Sequence, residues 1–425
     1  MCGIAGFSLF NFNEGGETSL EAMHKAIHHR GPDASGMYID EHIGLCHRRL
    51  SILDLSEAGN QPMYSKEGDL VIVFNGEIYN FLELRAELEN DGVTFKSHTD
   101  TEVILELYAR EGTKCLDKLN GMFAFALWDK NKQELFIARD RLGKKPLYYF
   151  NDNGRFAFGS EIKAILALEN IPREIRLDAV YDFFAYQYVP DPKSIFKHIH
   201  KLPPAHYLIL NKDGFSIHEY WDLSFKNTTS ASEDANKAQL KTLLEKVTKQ
   251  RMISDVPLGA FLSGGVDSSG VVAMMAQASE TPVKTCTIGF DDKAFNEADF
   301  AREIAEKYET EHHEFTVHQN VSDRLEHIVS FFDEPFADPS LVPTFFVSEL
   351  ARKAVTVALA GDGGDEMFAG YEKYSIDDVE NKLRSKFPEA VRKSVFPHLA
   401  KLAGKVPGTV GKKAKSLLTS LSHEP

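Results

Sequence analysis

A cysteine stands at position 2, directly behind the initiator methionine, in Cys-Gly-Ile-Ala-Gly-Phe. A small residue there favours removal of Met1. Cys2 would then carry both a thiol and a free α-amine, groups with ordinary pKa values of about 8.5 and about 8. Nucleophile and base would sit within one residue, the arrangement of an N-terminal nucleophile. Two clusters farther along suit phosphate. Residues 263–269 read Ser-Gly-Gly-Val-Asp-Ser-Ser between an apolar strand and an apolar helix. Gly264 and Gly265 let the backbone turn tightly, and the following helix offers unpaired N–H groups to an anion. Ser263, Ser268 and Ser269 add hydroxyl donors, and Asp267 places a carboxylate where Mg²⁺ beside phosphate would be held. No lysine follows, so this is not the GxxxxGK[ST] loop. Gly361-Asp-Gly-Gly-Asp365 follows a second apolar strand, with Glu366 next. Its backbone N–H groups suit a nucleotide, and Asp362, Asp365 and Glu366 could hold metal or orient a nucleophile.

The elements that must position these residues fall into two rhythms. Up to about residue 210, β-rich runs dominate, at 3–10, 43–53, 70–79, 122–129, 134–140 and 155–160. Helical patterns interrupt at 81–90 and 101–111, the second with Thr99 and Asp100 as candidate caps. Sequential strands with few helices predict layered, largely antiparallel sheets. After about residue 230, strand and helix alternate: strand 257–263, helix 268–279, then KTCTIGF, FNEADFAREIAEKY, HHEFTV, LVPTFFVSELARKA and VTVALAG. That alternation predicts a parallel sheet with helices on both faces. The polar stretch Asn227–Asn236 is the candidate linker, dividing the chain into domains at 1–210 and 228–425. The tail beyond about residue 375 is rich in Lys and Ser, breaks at Pro407-Gly408, and shows no closing element.

Composition excludes several classes. The 425 residues are 43% hydrophobic and 26% charged, an ordinary globular balance with room for two domains. A net charge of −15 argues against a general binder of nucleic acid or anionic membrane. Cys2, Cys46, Cys115 and Cys286 are widely spaced without a CxxC pair, so reduced thiols and a cytoplasmic setting are expected. No signal peptide and no membrane-length apolar run is visible. His24, His28 and His29 could share a helix face, but no second cluster with ligand spacing joins them.

Together these motifs resemble the glutamine-hydrolysing asparagine synthetase family, from Cys2 to about Tyr374. The resemblance implies an α+β N-terminal nucleophile domain, antiparallel sheets stacked between helices. A doubly wound α/β adenylating domain would follow. It implies Cys2 as the nucleophile on the side-chain amide of glutamine, with its own α-amine as base. Asn75-Gly76, in FNGEIYN, matches the oxyanion hole, and Glu77 follows it in the glutamine site. Arg49, in HRRLSI, matches the holder of the glutamine α-carboxylate, a task suited to a bidentate guanidinium. Asp100, in HTDTE, matches the partner of the α-ammonium, and Arg30-Gly-Pro-Asp33 a loop near the pocket. Ser263, Gly264, Gly265, Asp267, Ser268 and Ser269 match the pyrophosphate loop of ATP. Leu262 and Thr287-Ile288-Gly289 match positions near adenosine, and Gly361, Asp362 and Asp365 the second nucleotide loop. Asp267 and Asp365 are the candidate Mg²⁺ ligands. The implied reaction is that of a ligase: ammonia freed at Cys2 attacks an ATP-activated carboxylate, releasing AMP and pyrophosphate. Glutamine, ATP and aspartate are the implied partners, with a homodimer as the candidate assembly.

Taken singly, the residues leave other readings open: Arg49 as a surface ion pair, Asp100 as a helix cap, Asn75-Gly76 as a hairpin turn. The family commonly has Glu where this chain has Asp362. A segment resembling SMAxSLExRxPFLD, which contributes to the family's acceptor pocket, has no match before Pro425. The expectation is therefore a competent glutaminase half and an incomplete synthetase half with exposed apolar surface. The acceptor also stays open, between aspartate and another carboxylate such as a sugar acid. A protein of regulatory type that kept the fold is the reading from a different class.

Overall fold

The computed structural model describes residues 1–10, 16–226, 228–290, 297–317 and 321–423. The start of the FNEADFAREIAEKY pattern, at 295–296, and Asn227 of the linker lie outside them. In chain order the strands are β1 (Gly3–Ser8), β2 (Ala34–Ile39), β3 (Ile43–Arg49), β4 (Met63–Tyr64), β5 (Leu70–Ile78), β6 (Gly121–Asp129), β7 (Glu134–Arg139) and β8 (Tyr148–Asp152). They continue with β9 (Arg155–Gly159), β10 (Ile199–Lys201), β11 (His206–Asn211), β12 (Gly214–Glu219), β13 (Leu258–Phe261), β14 (Lys284–Phe290), β15 (Glu311–Val317) and β16 (Val357–Leu359).

The chain divides into two compact units, Met1–Gly264 with Val271–Leu359, and Gly265–Gly270 with Ala360–Pro425. The first contains two six-stranded antiparallel sheets, ordered β10-β8-β9-β1-β3-β2 and β12-β11-β7-β6-β5-β4. The hairpin β11–β12 carries the second sheet to Glu219, past residue 210. β5 shows why its sequence reads as a continuous apolar run. Val71 and Val73 join Ile4, Leu45 and Phe158 between the sheets. Ile72 and Phe74 point the other way, onto Leu84 and Leu88 of the helix Phe81–Asn90 and Val103, Ile104 and Leu107 of the helix Asp100–Glu111. A strand covered on both faces has no polar side to alternate with. β1 is likewise covered: Ala5 and Phe7 meet Leu20 and Met23 of the helix Glu17–Ala26, on the outer face of the first sheet. The result is helix, sheet, sheet, helix, as the resemblance implies.

The same unit holds the parallel sheet, ordered β15-β14-β13-β16. Ala260, Leu262, Val272, Met275, Ala301 and Ala305 form the core on one face. Cys286, Ala351 and Val355 begin the core on the other. The chain winds from β13 through β14 to β15 and then returns to the far side of β13 as β16. An open α/β sheet binds ligands at the carboxyl ends of strands flanking such a reversal. The residues that follow β13 and β16 are the two Gly/Asp clusters.

The second unit is helical, with Glu372–Arg384, Glu389–Ser394, Phe396–Ala403 and Thr409–Ser422 packed together. The tail that shows no closing element in sequence is thus ordered around Phe396, Ala400 and Leu421.

Candidate active site

Position 2 is set by its neighbour. β1 lies between β9 and β3, and Ile4 and Phe7 are fully buried, so the chain terminus is pinned at a sheet centre. Burial of each such side chain contributes about 1.5–3 kcal/mol, enough to order a terminus that would otherwise fray. The Cys2 Sγ lies against Leu50, whose N–H donates to it at 3.4 Å and whose carbonyl accepts from it at 3.6 Å. Arg30 Nε donates to the Cys2 carbonyl at 2.9 Å. Burial raises the thiol pKa, so the thiol needs a nearby base to become a thiolate. Burial lowers the α-amine at Met1 to about 6. The same surroundings would keep the Cys2 amine neutral, and therefore basic, once Met1 is removed.

Asn75 and Gly76 are strand residues, paired in β5 with Ala124 and Phe123, which rules out the hairpin-turn reading. The Asn75 side chain is 1% exposed, and its Nδ2 has no hydrogen-bond partner. A buried amide donor without an acceptor is costly unless a ligand completes it. A Cβ on Gly76 would stand 2.4 Å from the Met122 carbonyl oxygen, so only glycine keeps this backbone in place. Both residues line a cavity of about 370 Å³ together with Cys2.

A narrower crevice of about 30 Å³ joins Cys2, Gly76 and Glu77 to Arg49, Thr99 and Asp100. Arg49 is 5% exposed, which does not fit a surface ion pair. Its Nη1 donates to the Ser56 carbonyl (3.0 Å) and Asn60 Oδ1 (2.9 Å), its Nη2 to the Leu53 (3.0 Å) and Asp54 (2.5 Å) carbonyls. A guanidinium has five N–H donors. A bidentate carboxylate contact here therefore requires the 53–60 loop to release some of them. Asp100 is not the cap of its helix. Thr99 is, accepting from the Glu102 N–H, while Asp100 Oδ2 accepts from the Ile78 N–H at 2.8 Å. Burial raises the Asp100 carboxyl, and burial followed by repulsion from Asp100 raises Glu77. Two neighbouring carboxyls that resist ionising together would be stabilised in their charged form by a nearby cation.

The phosphate motifs divide at Gly264. Leu262 continues β13, its N–H on the Cys286 carbonyl at 3.0 Å and its carbonyl accepting from Thr287. Ile288 lies beside it in β14, half-buried. Gly264 has φ +83°, and a Cβ would stand 2.5 Å from Phe300 Cβ. Both the conformation and the contact demand glycine. In the second unit, Gly265 accepts from the Ser269 N–H (3.0 Å) and Ser268 Oγ (3.2 Å) as the helix Val266–Ala278 begins. Ser269 Oγ is buried without a partner. The Asp267 carboxylate packs on the second loop, where a Cβ on Gly364 would stand 2.4 Å from its Cγ. The structure thus brings Asp267 against the 361–365 loop. Asp365 instead lies beside Gly370, whose Cβ would stand 2.0 Å from its Oδ1. Of the histidines, His24 bonds the His47 carbonyl and His29 bonds Glu161.

Family models bear directly on this geometry. One described as a glutamine amidotransferase domain matches residues 1–221, and one described as asparagine synthase matches residues 239–423. A protein of Methanocaldococcus jannaschii named putative asparagine synthetase [glutamine-hydrolyzing] 2 is 43% identical over 87% of this chain and 76% of its own. The chain belongs to the glutamine-hydrolysing asparagine synthetase family. Asparagine synthetase [glutamine-hydrolyzing] 1 of Bacillus subtilis is 37% identical over 98% of this chain, which spans 65% of that relative's length. Among solved structures, glutamine phosphoribosylpyrophosphate amidotransferase from B. subtilis aligns at 16% identity, covering 84% of this chain and 81% of its own, with a TM-score of 0.40.

Two residues that stand at Cys2 in the structure were not legible in the sequence. Leu50 meets the Cys2 thiol through its main chain, which carries no side-chain signal. Lys145 stands in a Gly-Lys-Lys-Pro turn, where paired lysines read as solvated, yet it is 4% exposed and lines the cavity at Cys2. Its Nζ lies 3.1 Å from Met1 Sδ, and burial lowers its pKa. A proline next to a lysine in a turn between two strands is the one hint that the second lysine is held in place.

Proposed function

We propose that this chain hydrolyses glutamine at Cys2 and uses the ammonia to amidate an ATP-activated carboxylate, aspartate being the acceptor. The carrying observation is the cavity at Cys2. It is lined by the thiol, the unpartnered Asn75 amide and Gly76, and also by Thr356, Val357, Ala358 and Leu359. Leu359 is two residues before the Gly361 loop in sequence.

The Cys2 Sγ attacks the side-chain carbonyl carbon of glutamine, and the Cys2 α-amine takes the thiol proton. Asn75 Nδ2 and the Gly76 N–H stabilise the tetrahedral oxyanion. The amine returns its proton to the departing nitrogen, ammonia leaves, and water resolves the thioester to glutamate. Asp100 with Glu77 receives the substrate ammonium, and Arg49 its carboxylate. Ile52, Ile78, Phe81, Met122, Ile253 and Val357 give the cavity apolar walls, which favour neutral ammonia over ammonium. In the second half, a carboxylate oxygen of the acceptor attacks the α-phosphorus of ATP and pyrophosphate leaves. Ammonia then displaces AMP from the acyl-adenylate.

Asp267 offers a hard cation oxygen donors beside a serine-rich helix start with an unpaired buried hydroxyl at Ser269, whereas the Asp365 carboxylate lies against Gly370 and would have to turn to join it. A Mg²⁺ ion held there would neutralise phosphate charge as pyrophosphate departs. Cytoplasmic work agrees with the free thiols of Cys46, Cys115 and Cys286.

The test is glutamate release from glutamine by this chain and by Cys2→Ala, with and without MgATP and aspartate. Cys2-dependent glutamate, with AMP and asparagine in the full mixture, is the expected result. Glutamate without AMP or asparagine would remove aspartate as acceptor. No glutamate from protein confirmed to lack Met1 would remove the amidotransferase reading.

A further inference from the structure

A run of charged side chains leads away from the nucleophile. Arg30, whose Nε holds the Cys2 carbonyl, donates through Nη1 to Glu161 Oε1 at 2.8 Å. His29 Nε2 meets the same oxygen at 3.0 Å. Glu161 Oε2 lies 3.0 Å from Lys163 Nζ. Lys163 in turn holds Asp333, its N–H on Oδ2 at 2.9 Å and its Nζ 3.4 Å from Oδ1. Asp333 belongs to the stretch between β15 and the helix Leu341–Ala351, beyond the linker. The next residue repeats the device: Glu334 accepts from the Ile195 N–H at 3.2 Å and pairs with Lys201 at 2.6 Å. The Arg30 and Glu161 side chains are only 9% and 13% exposed, so solvent screens this chain little.

No member of the run lines the glutamine crevice, and the Arg30–Glu161 pair at its centre is no solvated surface pair. Arg30 restrains the very carbonyl that fixes the peptide plane of Cys2. That guanidinium reaches the second half indirectly, through Glu161, then Lys163, then Asp333.

The geometry points to Glu161, Lys163 and Asp333 as positioning residues for the Cys2 nucleophile. They fix Arg30, and through it Cys2, to the 330–337 segment of the second half. Glutaminase turnover thus depends on an aspartate contributed by the other half of the chain. The inference rests on the reading of Cys2 as a glutaminase nucleophile. A misplacement of about 1 Å in a reacting group costs up to about 100-fold in rate.

The experiment measures glutamine hydrolysis without ATP or aspartate in the full chain and in Glu161→Gln, Asp333→Asn and Lys163→Arg. Active sites are titrated with a glutamine-analogue diazoketone, so that kcat is expressed per reactive Cys2. Expected are a drop in kcat per site of about 10- to 100-fold in Glu161→Gln and a smaller drop, about 3- to 10-fold, in Asp333→Asn. The KM for glutamine should stay within about twofold, because Arg49 and Asp100 are untouched, and Lys163→Arg should retain most activity. Normal kcat per site in Asp333→Asn would overturn the inference. So would a loss confined to the number of titratable sites, which is what a purely structural role produces. An inactive parent chain would instead remove the underlying function, so the two failures are distinguishable.

Discussion

At Cys2 the chemistry depends on donors and charges that the fold leaves incomplete. The Asn75 amide has no partner in the unliganded protein, so its cost is recovered only when an oxyanion forms. Asn75→Ala should lower kcat for glutamine hydrolysis by about 10²–10³ with little change in KM, the signature of a donor used in the transition state. Steady-state glutamate release checks this. Glu77 and Asp100 predict a pH dependence. Burial pushes Asp100 to about 7. Below that pH the pair is protonated and offers no counter-charge to the glutamine ammonium, so KM should rise as pH falls through neutrality. Asp100→Asn should raise KM at pH 7 and flatten its pH dependence. The same raised pKa means the folded state binds more protons than the unfolded chain between the ordinary carboxyl range and about 7. Stability of the unliganded protein should therefore fall as pH rises through that window, and denaturant titrations at several pH values would show it. Cys2 itself was legible because its chemistry is a matter of sequence position. The Leu50 main-chain contact with the thiol was not, since any residue supplies an N–H and a carbonyl.

At the level of elements, the strands and helices that carry the site were readable where both their faces are buried. The runs at 70–79 and 122–129 fold as β5 and β6 because apolar residues crowd both sides of the second sheet. β2 was missed: its residues Ala34–Ile39 alternate half-buried with exposed, at a sheet edge, and Ser35-Gly36 interrupt its apolar residues. β12 was missed for the same reason, with Ser216, His218 and Glu219 facing out. The helical tail was hidden by its lysines, whose stems cover apolar surface while their charges stay in water. The register of β5 on β6 makes a prediction of its own. A Cβ at Gly76 would collide with the Met122 carbonyl oxygen, a backbone atom that cannot swing away. Gly76→Ala should cost about 1–3 kcal/mol in stability by overpacking and displace the oxyanion N–H. Chemical unfolding should show the lowered midpoint. Glutamate release per folded molecule should fall as well, whereas a mutation that only destabilises leaves it unchanged.

At the level of the whole molecule, the cavity at Cys2 draws its lining from far-apart parts of the chain. Its walls come from both sides of the linker: Cys2, Asn75 and Met122 from the first half, Gln250, Ile253 and Ala358 from the second. Asp54 and Asp255 tie those halves beside it, the Asp54 N–H on the Asp255 carboxylate at 2.7 Å and the Asp255 N–H on the Ile52 carbonyl at 3.0 Å. Sequence alone could supply Cys2 and Asn75 but not this cavity, because a cavity is defined by residues far apart in the chain. If ammonia moves through it, narrowing it should uncouple the two reactions without touching either set of catalytic groups. Ile253 suits the test, since its side chain lines the cavity yet is 36% exposed, so a larger residue can be accommodated without overpacking a core. Ile253→Trp should keep glutamate release within about twofold of the parent while lowering asparagine formed per glutamate several-fold. Added ammonium salt should restore asparagine formation, because ammonia arriving from solvent bypasses the blocked route. Equal loss with glutamine and with ammonium would show instead that the substitution damages the acceptor chemistry. An unchanged ratio would show that ammonia reaches the acceptor by another path.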